Sequence, residues 1–310
     1  MDQLKFSVIG TGATGIVIAS ALLSQSHEVA LVDPKPNLQD EIMEKGLIVS
    51  GELSYSVPVK DFFPDIKDLK KFNPNIIFIS SKTFHLDQIL KKLEKIFTPG
   101  MKFVSTHNGL GTEDVIARRF GEDSVFRMSL NYGVSLITPT RAEVAFFNRP
   151  NHLGGLNQSA DTIGAKLAGV LTESRLDTQY VEDIKLYVWK KMIMKCTMAS
   201  ICAVTDKTIK NALDFPPTRE IAVGCFKEIL AVAKAQGYDL GEDYLDQALA
   251  YLEKAGVHKD SMCNDVANKT PTEIDFLGGK VVEYANDSGI PVPNYVTMTN
   301  LVRAIEDNYI

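Results

Sequence analysis

The sequence predicts an α/β amino-terminal half built on a doubly wound parallel sheet, followed by an all-α carboxyl-terminal half. Three observations carry this. Short apolar, β-branched runs alternate with helical patterns over roughly the first 180 residues, as a parallel sheet requires. A cluster of glycines follows the first of these runs directly. From about Tyr187 onward, long amphipathic stretches succeed one another with few β-branched clusters. With 310 residues and 45% hydrophobic content the chain suits two domains, 1–182 and 183–310.

The first strand is "KFSVI", Lys5 to Ile9, which leads into Gly10, Gly12 and Gly15 and then an apolar helix from Ile16 to Leu23. Glycines spaced G-x-G-x-x-G between a strand and a helix are the fingerprint of a dinucleotide-binding Rossmann unit. The first glycine permits a tight turn, the second lets backbone approach a pyrophosphate, and the third lets helix and strand pack closely. The helix N-terminus offers its free N–H groups to the pyrophosphate, with Ala13 and Thr14 lining the approach. The bland alternative is a structural glycine turn without a ligand.

The second strand, "HEVALVD", ends at Asp33, 18 residues beyond Gly15. An acid there accepts hydrogen bonds from the adenosine ribose and repels a 2′-phosphate, which favours NAD(H); Lys35, two residues on, keeps NADP(H) open. Further strands are expected at "NIIFISSK" (75–82), ending in Lys82, and "KFVSTHNG" (102–109), ending in Asn108-Gly109, with the helix "HLDQILKKLEKIF" (85–97) between them. Ligands of open α/β sheets sit at the carboxyl ends of strands, where Gly10, Lys82 and Asn108 are expected to converge. Lys82 reads equally as a solvated strand end, and "HNGLG" as a helix-entry turn. Residues 124–157 and 165–183 supply several short strands and one helix.

In the second half, helices are expected at 184–204, 217–236, 241–255, 271–288 and 293–307, with Gly237 and Gly289 as stops. Lys191 and Lys195, four apart in "YVWKKMIMKCTMAS", share one helix face among apolar residues, a placement that packing does not ask for. Glu273 lies three residues after Thr270 in "TPTE", as in a capping box; its sharper reading is an active-site carboxylate.

With 33 Lys and Arg against 39 Asp and Glu the net charge is −6, and no basic block appears, which argues against nucleic acid or an anionic membrane as partner. No stretch matches a signal peptide or a membrane span, so a cytoplasmic location is expected. Cys196, Cys202, Cys225 and Cys263 have no zinc-ligand spacing and read as free buried thiols; no metal is expected.

Taken in order, the glycine fingerprint, the lysine ending a middle strand, "HNGLG", "WKKM" and "SM…D…TEID…G…A…GIPVP" resemble the ketopantoate reductase family, of the 6-phosphogluconate-dehydrogenase-like C-terminal domain superfamily, over essentially the whole chain. The Ser261 to Pro293 block is its most specific part. The resemblance implies a Rossmann domain joined to a helical domain that reduces 2-dehydropantoate to (R)-pantoate with NADPH, in pantothenate biosynthesis. It implies Lys191 as the general acid and Glu273 as the carboxylate that orients substrate and lysine. It further implies Asn108 beside the nicotinamide ribose and the substrate, and Ser261 on the substrate carboxylate. A lysine suits the acid role because a cation near the carbonyl stabilises the developing alkoxide.

The chain departs from the family pattern where pantoate-type members often carry asparagines: here stand Lys195, Ala199 and His258. Lost amides and a gained cation open an alternative, an NAD-dependent dehydrogenase of the same family acting on a dicarboxylic or bulkier hydroxy acid. A further alternative, from another class, is a nucleotide-sensing protein without turnover. A homodimer through the helical domain is common in the superfamily, and no pattern in this chain speaks for or against it.

Overall fold

The computed structural model describes residues 4–157, 161–254 and 259–310. The chain divides into two compact units, one of residues 1–107 and 112–185, the other of 108–111 and 186–310. The four residues Asn108–Gly111 thus group with the helical half although they lie deep in the α/β half of the sequence.

The α/β unit runs β1 (Lys5–Ile9), α1 (Ala13–Ser24), β2 (Glu28–Val32), α2 (Leu38–Lys45), β3 (Leu47–Gly51), β4 (Tyr55–Val57), β5 (Asp61–Phe63), α3 (Leu69–Phe72) and β6 (Ile76–Ile79). It continues through α4 (Leu86–Leu93), β7 (Lys102–Ser105), α5 (Thr112–Phe120), β8 (Val125–Ser129), β9 (Tyr132–Thr138), β10 (Arg141–Phe147), β11 (Asn151–Gly155), α6 (Asp161–Glu173) and β12 (Thr178–Tyr180). The main sheet has the order β12-β11-β8-β7-β6-β1-β2-β5. Its strands from β5 to β8 are parallel, while β11 runs antiparallel to β8. The chain leaves β1 first towards β2 and later returns to β6 on the other side, so the β1/β6 boundary is the switch point at which such sheets bind ligands. The strands end earlier than the sequence suggests: Lys82 and Asn108 lie in the turns beyond β6 and β7.

A second sheet, β4-β3-β10-β9, was not predicted at its first two strands. It explains a helix that is apolar almost all round. Gly15 to Leu22 of α1 are buried, and Ile16, Val17 and Ile18 share one core with Phe6 and Val8 of the main sheet and with Val49, Tyr55 and Val144 of the small one. A helix covered on two sides has no polar face to keep.

Arg127, in the middle of β8, is 1% exposed. Its Nη1 donates to Ser105 Oγ and Thr112 Oγ1, both at 2.8 Å, its Nη2 donates to the His107 carbonyl at 2.6 Å, and its Nε lies 3.5 Å from Glu113 Oε2. The guanidinium therefore ties together the two chain ends, His107 and Thr112, that flank Asn108–Gly111. Burial pulls the Arg127 pKa down, opposed by the Glu113 and Asp114 carboxylates. Burial, helped by the Arg127 charge, pushes His107 down to about 3.

The helical unit contains α7 (Ile184–Thr205), α8 (Ile209–Asp214), α9 (Pro216–Ala235), α10 (Tyr244–Glu253), α11 (Ser261–Ala267), α12 (Gly278–Ser288) and α13 (Pro293–Glu306); the first two residues of α7 fall on the α/β side of the division. Helices α8 and α11 are additional to those predicted, and the expected helix over 271–288 is two pieces: a 3₁₀ turn at Ile274–Phe276, then α12. The predicted capping box does not form. The Thr270 hydroxyl donates to the Asp265 carbonyl at 3.1 Å, and it is Thr272 whose Oγ1 accepts from the Ile274 N–H at 3.2 Å. Helix α12 begins where Gly278 lies so close to α13 that a Cβ would stand 2.4 Å from Thr299 Oγ1. Gly289 ends α12 with φ +69°, as predicted. All four cysteines are free and buried, and burial pushes the Cys225 thiol up to about 12.

Two outcomes follow for stability. Arg127→Met leaves Glu113 buried without its partner and should lower the unfolding free energy by about 3 kcal/mol or more in urea titrations. His107 is neutral in the native state down to about pH 3 but protonates near its ordinary 6.5 when unfolded. Stability is therefore lost as pH falls below 6.5, by up to about 1.4 kcal/mol per pH unit for this one proton. His107→Gln should flatten the slope of unfolding free energy between pH 6 and pH 4 by that one proton.

Candidate active site

The site residues fall into two groups, one in each unit. In the α/β unit, Gly10 turns the chain out of β1 with φ +93°, and a Cβ there would lie 2.7 Å from the Ser81 amide nitrogen. The glycine turn thus touches the turn after β6, immediately before Lys82. At Gly15 a Cβ would stand 2.0 Å from the Gly10 carbonyl oxygen, so helix and strand approach as closely as the fingerprint requires. Gly12 differs. It caps α1 in an extended conformation, φ −70° and ψ −176°, and a Cβ on it would meet nothing within 4 Å. The space beside Gly12 and the uncapped N–H groups of the first turn of α1, at Ala13 and Thr14, form the cradle a pyrophosphate fits.

Asp33 follows β2, and its carboxylate braces this turn. Oδ2 accepts from both the Thr11 N–H and the Thr11 hydroxyl at 2.9 Å, and Oδ1 accepts from the Lys35 N–H at 3.0 Å. An ionised carboxylate has about four acceptor positions, so one remains for a ribose hydroxyl.

In the helical unit, α7 carries Lys191 and Lys195 one turn apart, both half-buried. Lys191 Nζ donates to Asn108 Oδ1 at 2.7 Å. The segment bearing Asn108 is glycine-rich because of what it lies against. A Cβ on Gly109 would be 2.9 Å from Phe276 Cβ, the Leu110 N–H donates to the Phe276 carbonyl at 2.8 Å, and Gly111, with φ +70°, sits against Lys280 and Tyr284. Half-buried Glu273 caps the same 3₁₀ turn, three residues before Phe276.

Lys195 was expected as a cation added to the substrate pocket; in the structure it is already paired. Its Nζ donates to Asp260 Oδ1 at 2.8 Å, to Asp260 Oδ2 at 2.6 Å and to Ser261 Oγ at 2.8 Å. Its charge is neutralised within the unit. Asp260 was missed from the sequence; the available signal was an aspartate one residue before a helix start, where its Oδ1 accepts from the Met262 N–H at 2.8 Å. Ala199, one turn beyond Lys195, is fully buried, and His258 lies outside the described residues. Among the described residues no group of three or more His, Cys, Asp or Glu could hold a metal ion, and no helix is long and apolar enough to cross a membrane.

A doubly wound sheet with this glycine turn, joined to a helical unit that presents a lysine to an asparagine, defines the chain as an NAD(P)-dependent oxidoreductase. Comparison with known proteins narrows the class. Residues 6–158 match the family described as ketopantoate reductase PanE/ApbA, and residues 183–306 match its C-terminal domain. A 2-dehydropantoate 2-reductase of Streptococcus pyogenes is 28% identical over 301 residues, covering 96% of this chain and 97% of that protein. A PanE/ApbA family ketopantoate reductase of Ralstonia eutropha has a solved structure that superposes with a TM-score of 0.88 at 21% identity, covering 99% of each chain. D-mandelate dehydrogenase in complex with NADH superposes at 0.84 with 22% identity, over 99% of this chain and 100% of the other. The chain belongs to the ketopantoate reductase family.

The two glycines separate packing from ligand access. Gly15→Ala should destabilise the fold by more than about 2 kcal/mol, because the new methyl meets backbone. Gly12→Ala should leave thermal unfolding within about 0.5 kcal/mol of the parent, because its dihedrals suit alanine and its space is open; differential scanning calorimetry of both variants checks this.

Proposed function

We propose that the protein catalyses NAD(P)H-dependent reduction of a 2-oxo acid to the 2-hydroxy acid, with 2-dehydropantoate as substrate and Lys191 as general acid. The observation that carries this reading is the 2.7 Å hydrogen bond from Lys191 Nζ to Asn108 Oδ1, in a chain of this family. The bond commits one of the three ammonium protons to a fixed acceptor and so orients the others. A proton aimed at the substrate carbonyl oxygen stabilises the charge that develops there and is transferred as the alkoxide forms. The nicotinamide, when bound, supplies the hydride. Gly10, Gly12 and Gly15, with Ala13 and Thr14, hold the pyrophosphate, and Lys82 stands in the turn next to theirs.

Asn108 serves Lys191 and the substrate side of the reaction. Glu273 orients substrate and lysine, and the Ser261 hydroxyl donates to the substrate carboxylate. For the cofactor, the position of Asp33 supports NADH: its carboxylate braces Thr11, keeps one acceptor position for a ribose hydroxyl, and repels a 2′-phosphate. The relatives named 2-dehydropantoate 2-reductase support the substrate. The pairing of Lys195 with Asp260 speaks against a dicarboxylic acid.

Lys191→Ala tests the reading. Turnover of 2-dehydropantoate should fall by about 10²-fold or more, while dinucleotide affinity, followed by quenching of the single tryptophan, stays within a factor of about two. A variant that keeps the parent's turnover would remove Lys191 from the acid role. Gly12→Ala should show the converse, weakened dinucleotide binding in a normally folded protein.

A further inference from the structure

Lys195 and Asp260, one helical turn from the reacting lysine, form a close ion pair whose two side chains are both largely withdrawn from water, at 19% and 8% exposure. An ammonium group has three protons and no acceptor, and here all three are committed: two to the Asp260 carboxylate and one to Ser261 Oγ. Asp260 is fixed in turn by the Met262 N–H at the start of α11. Two consequences follow from elementary hydrogen-bond chemistry. Because Ser261 Oγ accepts from an ammonium that can only donate, its own hydroxyl proton must point away from Lys195. Ser261 is exposed, so that proton is offered outward, to an acceptor. Lys195 itself presents no unspent proton and no uncompensated charge to a ligand.

We infer that the Lys195–Asp260 pair is a specificity-determining element: it turns Ser261 into a committed donor for one carboxylate and withholds a second cationic site, so that 2-oxo monocarboxylic acids are accepted and dicarboxylic ones rejected. The inference rests on the reductase reading and extends it to residues with no part in the proton transfer. Lys195 and Lys191 are four residues apart on α7, about 6 Å along the helix. A short 2-oxo acid with its carbonyl at Lys191 therefore has its carboxyl end within range of this pair's surroundings. Asp260 acts through Lys195 and is a positioning residue.

The test is Asp260→Asn, which keeps an N-cap side chain for α11 but leaves the Lys195 charge unmatched. Steady-state kinetics with 2-dehydropantoate and with 2-oxoglutarate should show the ratio of their kcat/KM values moving towards the dicarboxylate by roughly ten-fold or more, chiefly through KM for 2-oxoglutarate. The double variant Lys195→Met with Asp260→Asn should lose that gain, which a general loosening of α11 would not predict. If the parent reduces 2-dehydropantoate and Asp260→Asn leaves the ratio within two-fold, the inference is overturned alone. If the parent reduces no 2-oxo acid, the reductase reading falls and the inference with it.

Discussion

An ammonium group drawn out of water has to be given acceptors, and α7 carries two of them one turn apart. Much of the helical unit is arranged to meet that need. Asn108 comes to Lys191 on a four-residue segment that leaves the sequence of the sheet to join the helices, and Asp260 comes to Lys195 at the start of α11. Each partner is itself held. Leu110 hydrogen-bonds the Phe276 carbonyl, Gly109 and Gly111 allow contact that no side chain would, and Asp260 caps α11. The glycines of "HNGLG" are therefore a packing requirement that also delivers Asn108.

The two lysines are treated differently by this arrangement. Lys191 donates to the amide oxygen of Asn108, which fixes the direction of one of its protons; Lys195 donates to a carboxylate, which cancels its charge. A cation kept beside an amide is suited to stabilise an anion that appears during reaction, and a cation closed into an ion pair is suited to hold its neighbours in place. One helix face thus carries the same residue type in two settings, an amide partner at Lys191 and a carboxylate partner at Lys195.

Much of the architecture was legible because periodicity and glycine spacing report on local geometry. The β1 turn, α1, β2 and the long helices α7, α9 and α13 depend on patterns that a few neighbouring residues express. What escaped depends on distant partners. Strand β3 is short and gains its place by pairing with β10, more than 80 residues on, and β4 pairs in turn with β3. No local pattern in the sequence marks Arg127, and only the fold shows it buried against Ser105, His107 and Thr112. The helix predicted over 271–288 was misplaced because Thr270 and Glu273 match a capping box by spacing, whereas the contact of Gly278 with Thr299 sets where α12 begins. At the site, Lys191 was visible as a misplaced charge on an apolar helix, but the neutralisation of Lys195 was not. That needed Asp260, 65 residues away.

Whether the chain is a working reductase of 2-oxo acids is decided by steady-state oxidation of NADH and of NADPH by the unmodified protein with 2-dehydropantoate and a panel of larger 2-oxo acids. A working reductase turns over 2-dehydropantoate, with NADH the better donor. Tight dinucleotide binding with no oxidation in the presence of any 2-oxo acid would contradict the reductase reading and would mark the chain as a nucleotide-binding protein that keeps the family's fold without its chemistry.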